Sequence, residues 1–286
     1  MALSLANLKR VRAKDPPRVL IYSPPGMGKT TLANEFPNAV FLQSEQGEGA
    51  DNELTTFGLL TDYNAFMEGI TALYNDKHEY QTVVVDTADK LEPLVWAAVC
   101  EANKWDSIEQ PGYGKGYIAA DLFWKDVIAG LNALRIERGM NVIILAHSEI
   151  ERFDDPRTTS YSRFDVRLHK RGQAIIEDEM DAILFINQEA QIKEEETGFN
   201  KKRSHAEGGT QRWVYTEGRP SFKAKNRYNM PARLLFQKGK GYEALARYFP
   251  GGDLFGGAQP VAQPAAAEQP ATDTKAATNG KTKKAA

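Results

Sequence analysis

Cysteine is nearly absent. Cys100 is the one thiol in 286 residues, so no disulfide can form within the chain. That suits a reducing compartment and makes a cytoplasmic location the expectation. Long apolar runs are missing too. No stretch approaches the roughly 18 consecutive apolar residues of a membrane-spanning helix. The opening MALSLANLKRVRAKD is amphipathic and basic without a long apolar centre. It reads as neither a signal peptide nor a membrane span, but as a short helix packed on the domain or on a neighbouring subunit. Nor does one sign of charge dominate: 36 Lys and Arg stand against 38 Asp and Glu, a net −2. A contact with nucleic acid therefore needs a local basic surface. What the chain does have is apolar mass, 42% of its residues, enough for one good core with a small appendage.

Residues 19–32, VLIYSPPGMGKTTL, are an apolar run, a Gly/Pro-rich turn and a helix-compatible stretch. That is the layout of a P-loop, in which a strand delivers the chain to a tight loop whose backbone N–H groups cradle phosphate. The loop runs from Ser23 through Pro24, Pro25, Gly26, Met27 and Gly28 to Lys29, and Thr30 and Thr31 complete it. The expected ligand is ATP. Lys29 is expected to reach the β- and γ-phosphates, and the Thr30 hydroxyl to ligate Mg²⁺. In the usual pattern GxxxxGK[ST] the first position is Gly, and here it is Ser23. A small residue can still turn there, while Gly26 and Gly28 supply the close backbone approach. A Gly-rich turn before an ordinary helix is the plainer alternative.

The second diagnostic run is residues 81–89, QTVVVDTAD. Three consecutive valines read as a strand buried on both faces of a parallel sheet. Asp86, at its C-terminal end, sits where ligands bind in open α/β sheets and reads as the Walker B carboxylate, holding Mg²⁺ directly or through water. The alternative is a carboxylate that caps the next helix, a job Thr87 or Asp89 could also do.

Strand-like runs at 19–22, 39–43, 82–85, 141–146 and 182–186 alternate with helical segments at 30–35, 63–74, 91–103, 119–137 and 172–179. The alternation predicts an α/β fold, a doubly wound and mostly parallel sheet. After Asn187 the chain turns strongly charged, and residues 210–228 read as one or two strands of a β-rich C-terminal addition. From Gly251 onward, Gly, Ala, Pro, Gln, Thr and Lys dominate, the composition of a disordered tail. The division is an N-terminal segment at 1–16, an ATPase domain at 17–250 and a tail at 251–286. Asp253-Leu254-Phe255 reads as a chance apolar pair in a linker or a short docking motif.

Three further stretches carry a resemblance. AVFLQSEQG places Glu45 at the end of the strand after the P-loop helix, VIILAH ends in His147, and SFKAKNRYNMP lies near the end of the fold. Together with PGYGKGY at 111–117, they make residues 17–250 resemble phage and prophage ATP-binding proteins with a minimal RecA core, including the single-strand annealing type. The resemblance implies a RecA-like P-loop NTPase fold. Glu45 is then the catalytic glutamate that polarises the attacking water, with Glu48 and Asp51 as competitors. His147 takes the place of the γ-phosphate sensor, often Gln in that group. Lys225 and Arg227, with Lys223 less favoured, become cations acting on a neighbouring subunit's ATP in a ring or filament of identical subunits. An exposed basic strand edge is their plainer reading.

The same resemblance implies two loops that bind single-stranded DNA. One is residues 105–117, carrying Lys115. The other is the irregular run 152–171, with Arg157, Arg163, Arg167, Lys170 and Arg171 interleaved with Tyr161 and Phe164. Cations follow phosphates and aromatic faces stack on bases. A mobile loop paired internally to Asp154, Asp155 and Asp165 is the alternative. The function implied is ATP-dependent single-stranded DNA binding that promotes annealing or pairing in homologous recombination, with a single-strand-binding protein as a further partner. A replicative helicase or its loader is a rival, disfavoured by the lack of a separate partner-binding domain. A nucleotide-gated binding module with little turnover is another. A small-molecule kinase lacks its Arg-rich lid.

Overall fold

The computed structural model describes residues 14–46, 53–156, 159–196 and 202–254, with backbone alone for 189–196 and 202–210. The expectations for the N-terminal helix, for Glu48, Asp51 and Arg157, and for the tail from 255 onward fall outside these residues.

The order along the chain is β1 (Arg18–Ser23), α1 (Lys29–Asn34), β2 (Ala39–Gln43), β3 (Thr56–Leu59), α2 (Tyr63–Asn75), β4 (Thr82–Asp86), α3 (Ala88–Asn103), α4 (Lys115–Glu137), β5 (Asn141–Phe153), β6 (Tyr161–Val166), α5 (Lys170–Glu179), β7 (Ala182–Glu196), β8 (Lys202–Tyr215), β9 (Lys225–Asn226), β10 (Arg233–Phe236) and α6 (Gly241–Ala246). The sheet runs β10-β8-β7-β1-β5-β4-β2-β3. From β7 to β3 every neighbouring pair is parallel, and β8 and β10 add antiparallel strands at one side. This is the α/β architecture with a mostly parallel sheet that the alternation predicts.

The central strands are continuous apolar runs because helices cover both faces. In β1, Leu20 and Tyr22 point to one layer, packed with Phe66, Leu91, Val95 and Trp124. Val19 and Ile21 point to the other, with Leu32, Leu245 and Phe249. The alternation of successive side chains across the sheet makes this division. α2 begins where Asp62 accepts a hydrogen bond from the Ala65 N–H at 2.9 Å, an N-cap its sequence supplies.

Residues 152–171 are not an irregular loop. β5 continues past the sheet to Phe153 and turns back as β6, antiparallel, from Ser148↔Val166 to Phe153↔Tyr161. Beyond His147 the strand has left its parallel neighbours, and its unpaired backbone groups find partners in β6. Of the charges that read as a loop, Glu149, Arg152 and Asp154 are exposed to solvent, where strands accept them, while Arg163 pairs with the buried Asp165. The long β7–β8 hairpin matches the expected β-rich addition. β3 and α6 go beyond the predicted elements. No helix among the described residues is long and apolar enough to cross a membrane.

Candidate functional site: a phosphate-binding cavity at the sheet's C-terminal edge

Strand register assembles the site. Ser23, the last residue of β1, lies opposite His147 of β5. Asp86, the last of β4, lies opposite Gln43, two residues before Glu45. Parallel strands ending together bring residues from four separate stretches of chain to one edge, the ligand position of open α/β sheets.

The loop from Pro24 to Gly28 joins β1 to α1. Ser23 is buried, and its hydroxyl donates to the Pro24 carbonyl at 2.8 Å, which ties down the turn where the usual pattern has Gly. Gly26 and Gly28 have φ of 77° and 98°, left-handed values that L side chains adopt poorly. At Gly28 a Cβ would also lie 2.8 Å from the Phe236 ring. Met27 packs against the layer below, while Pro25, Gly26, Thr30 and Thr31 line a cavity of about 390 Å³.

Lys29 is 6% exposed. Burial holds its pKa below the ordinary lysine value, against the pull of Asp86, Asp89 and Glu45. Such an ammonium, short of solvent, suits contact with phosphate. Asp86 is pushed up to about 6, first by burial, with the Thr30 hydroxyl bond and Lys29 opposing. Thr30 Oγ1 donates to Asp86 Oδ2 at 3.1 Å. A hydroxyl and a carboxylate side by side, beside the phosphate loop, fit Mg²⁺, which takes one or two protein oxygens and completes its shell from phosphate and water. No cluster of three or more His, Cys, Asp or Glu side chains suited to a metal is present among the described residues.

Glu45 stands at the mouth, 32% exposed, with its carboxylate accepting from Thr87 Oγ1 at 3.3 Å. Its Oε2 lies 3.8 Å from His147 Nδ1. His147 is fixed from two directions by Asp89. Its backbone N–H donates to Asp89 Oδ1 at 2.9 Å, and ring Nδ1 lies 3.1 Å from Asp89 Oδ2. Burial would raise Asp89, but the bonds from His147 and Arg167 overcome it and hold the carboxyl well below the usual range. Arg167 donates to Asp89 Oδ2 at 2.6 Å.

Lys29, Thr30, Asp86, Glu45 and His147 therefore come together. The expected DNA-binding residues separate into groups. Lys170 lies 3.1 Å from Glu151 of the exposed ribbon, and Tyr161 packs at a tilt against Phe153 across it. Lys115 opens α4. Arg163 folds back onto Asp165 and over the Phe153 ring, and Arg171 pairs with Asp121. Phe164 packs against Phe185 in the core, so it is not an exposed stacking ring. Arg167 is a member of the nucleotide site through Asp89.

Lys225 and Arg227 lie at the opposite edge of the sheet, where β9 pairs with the start of β7. Lys225 donates to the Glu177 and Asp178 carbonyls, and Arg227 pairs with Asp181. Lys223 reaches the buried Asp165. Sequence reasoning missed three residues at or beside the cavity: Asp89, set aside as a helix cap, Arg167, assigned to DNA, and Arg212, which lines the cavity from β8.

The family profile of the AAA domain matches residues 15–228. The chain belongs to the AAA domain family. No curated protein matches the chain. An AAA domain of this kind is a P-loop nucleotide-binding domain, and ATPase activity accompanies it, with ATP and Mg²⁺ as the ligands the cavity implies. Asp86 and Lys29 both line the cavity within the matched residues.

Proposed function

We propose that this AAA domain hydrolyses ATP and transmits the state of the γ-phosphate to the β5–β6 ribbon, which contacts single-stranded DNA and promotes its annealing or pairing in recombination. The observation that carries the reading is the continuity of β5. One strand holds His147 in the phosphate cavity and then forms the exposed ribbon. Arg167, just after β6, returns to the same cavity through Asp89, so both ends of the ribbon are anchored to the nucleotide site.

Glu45 accepts a proton from the attacking water as its oxygen bonds to the γ-phosphorus, and the bond to the β-phosphate oxygen breaks to leave ADP. Thr30 and Asp86 would hold Mg²⁺, which would supply charge neutralisation at the phosphates. Lys29 neutralises phosphate charge from the loop. His147, with Nδ1 taken by Asp89, has Nε2 left for a phosphate oxygen or the water. Arg152 on the ribbon and Lys170, at the start of α5 beside it, are 76% and 84% exposed and Tyr161 offers a ring, a composition that supports sequence-tolerant contact with a single strand.

ATPase rate with no DNA, single-stranded DNA and duplex tests the reading, with fluorescence anisotropy on a labelled oligonucleotide at several salt concentrations. Stimulation by single strands is expected. Arg152→Ala/Lys170→Ala should weaken binding and flatten the salt dependence by roughly 0.7 for each phosphate that is no longer neutralised. Strand displacement on a forked duplex would instead favour a helicase. ATP binding with no DNA binding by the unaltered protein would leave a nucleotide-gated module acting on another partner.

A further inference from the structure

The acids of the cavity all stand on one side of the phosphate loop. Asp86 ends β4, Glu45 follows β2 and His147 lies in β5, the strands stacked beyond β1 in one direction. In the other direction the sheet continues to β7, β8 and β10. From there, among the described residues, one cation enters the cavity, Arg212 of β8, seated between Gln188 of β7 and Phe236 of β10. Its Nη1 lies 3.3 Å from where a Cβ on Gly28 would be, and the Phe236 ring packs on the same glycine. Arg212 thus rests directly against the loop.

Arg233 of β10 lies over the Trp213 ring, and several other arginines have carboxylates. Arg18, Arg135 and Arg227 share Asp181, Arg163 has Asp165 and Arg167 has Asp89. No hydrogen bond or ion pair joins the Arg212 guanidinium to another described side chain. A half-buried guanidinium beside Lys29, with every acid of the cavity on the far side, calls for an anion that arrives with the ligand.

We infer that Arg212 binds the α- and β-phosphates of the nucleotide, from the side of the loop opposite the γ-phosphate machinery. The inference rests on the reading of the cavity as an ATP site and assigns it a second cation supplied within the same subunit. Since the diphosphate is common to ADP and ATP, Arg212 holds both alike, whereas Glu45 and His147 distinguish them.

The test is calorimetric titration of the full chain with Mg-ADP and with a slowly hydrolysed Mg-ATP analogue. It compares the unaltered protein with Arg212→Ala, Arg212→Gln and Arg212→Lys, each checked by circular dichroism. Arg212→Ala should raise both dissociation constants by about ten- to a hundredfold and by the same factor, the scale of a lost charged hydrogen bond. Arg212→Lys should recover part of the loss. Arg212→Gln keeps length and packing and should behave as Arg212→Ala does, which preserves the test if the alanine variant does not fold. Unaltered affinity in the folded Ala or Gln variant overturns the assignment. So does a loss confined to the ATP analogue, which would move Arg212 to the γ-phosphate. Failure of the unaltered protein to bind either nucleotide would overturn the cavity reading itself.

Discussion

Asp86 serves two ends that conflict. Burial disfavours its charge and lifts its pKa from 3.8 to about 6, yet a cation bound with ATP needs the carboxylate. A carboxyl with a raised folded-state pKa favours the folded state most below its unfolded pKa, and that contribution is lost as pH rises through the folded value. Without nucleotide, Asp86 therefore destabilises the protein above pH 6 relative to pH 4, by roughly 3 kcal/mol at most. Asp86→Asn should raise the melting temperature at pH 7.5, with the gain vanishing near pH 4, and should abolish Mg²⁺-dependent ATP binding. Affinity of the unaltered protein for Mg-ATP should fall as pH drops through 6. A melting temperature unchanged at pH 7.5 would show that Asp86 is not strained in the free protein. Turnover is separable from binding at Glu45. Glu45→Gln keeps the shape but loses the base, so it should bind Mg-ATP normally while hydrolysis slows by orders of magnitude in a steady-state assay. Lys29, Thr30 and Asp86 were legible because their signal is local, a loop or strand end within a few residues. Asp89 and Arg212 were not, because what they meet lies far along the chain: Asp89 bonds residues 58 and 78 positions away, and Arg212 rests against the loop at Gly28.

At the level of elements, the central strands were legible because a parallel sheet buried on both faces leaves unbroken apolar runs such as VVV in β4. The β5–β6 ribbon was not. In SEIERF of β5 polar residues fall in consecutive pairs, Glu149, Glu151 and Arg152 give it the charge of a loop, and its pairing partner lies across a turn with Asp154 and Asp155. In β6 only the second half, RFDV, alternates, with Phe164 packed on the core. The ribbon's tie to the nucleotide is Asp89, which bonds His147 and Arg167 at once. Asp89→Asn should keep most of the side-chain hydrogen bonding but lose the charge that holds Arg167. Hydrogen exchange on residues 148–153 and 161–167, measured with and without the ATP analogue, should show nucleotide-dependent protection in the unaltered protein and little difference in Asp89→Asn. The same nucleotide dependence in both would mean that the ribbon senses ATP by another route.

For the molecule as a whole, the separation of Lys225 and Arg227 from the cavity has a geometric consequence. They occupy the sheet edge opposite the phosphate loop, so they can reach ATP only in a neighbouring subunit stacked head to tail. Such heterologous contacts build rings or filaments. Their bonds in the single subunit differ in kind. Arg227 is 55% exposed and pairs with Asp181, which keeps Arg18 and Arg135 as partners, so its loss should cost no more than the about 1 kcal/mol of an exposed ion pair. Lys225 donates to the last carbonyls of α5, a capping role that accounts for it without any neighbour. A Lys225→Ala/Arg227→Ala protein is thus expected to fold and bind ATP, and on the assembly reading to lose turnover. Mixed with Glu45→Gln protein, it should regain part of that turnover, because at some interfaces an intact Glu45 faces intact cations from the adjacent subunit. The measurement is ATPase rate against mixing ratio, with mass by light scattering in ATP and single-stranded DNA. Recovery peaking at intermediate ratios would support head-to-tail assembly. A strictly monomeric mass with no recovery would leave Lys225 as a helix cap and Arg227 as one more partner of Asp181, and the ATPase would be complete within a single chain.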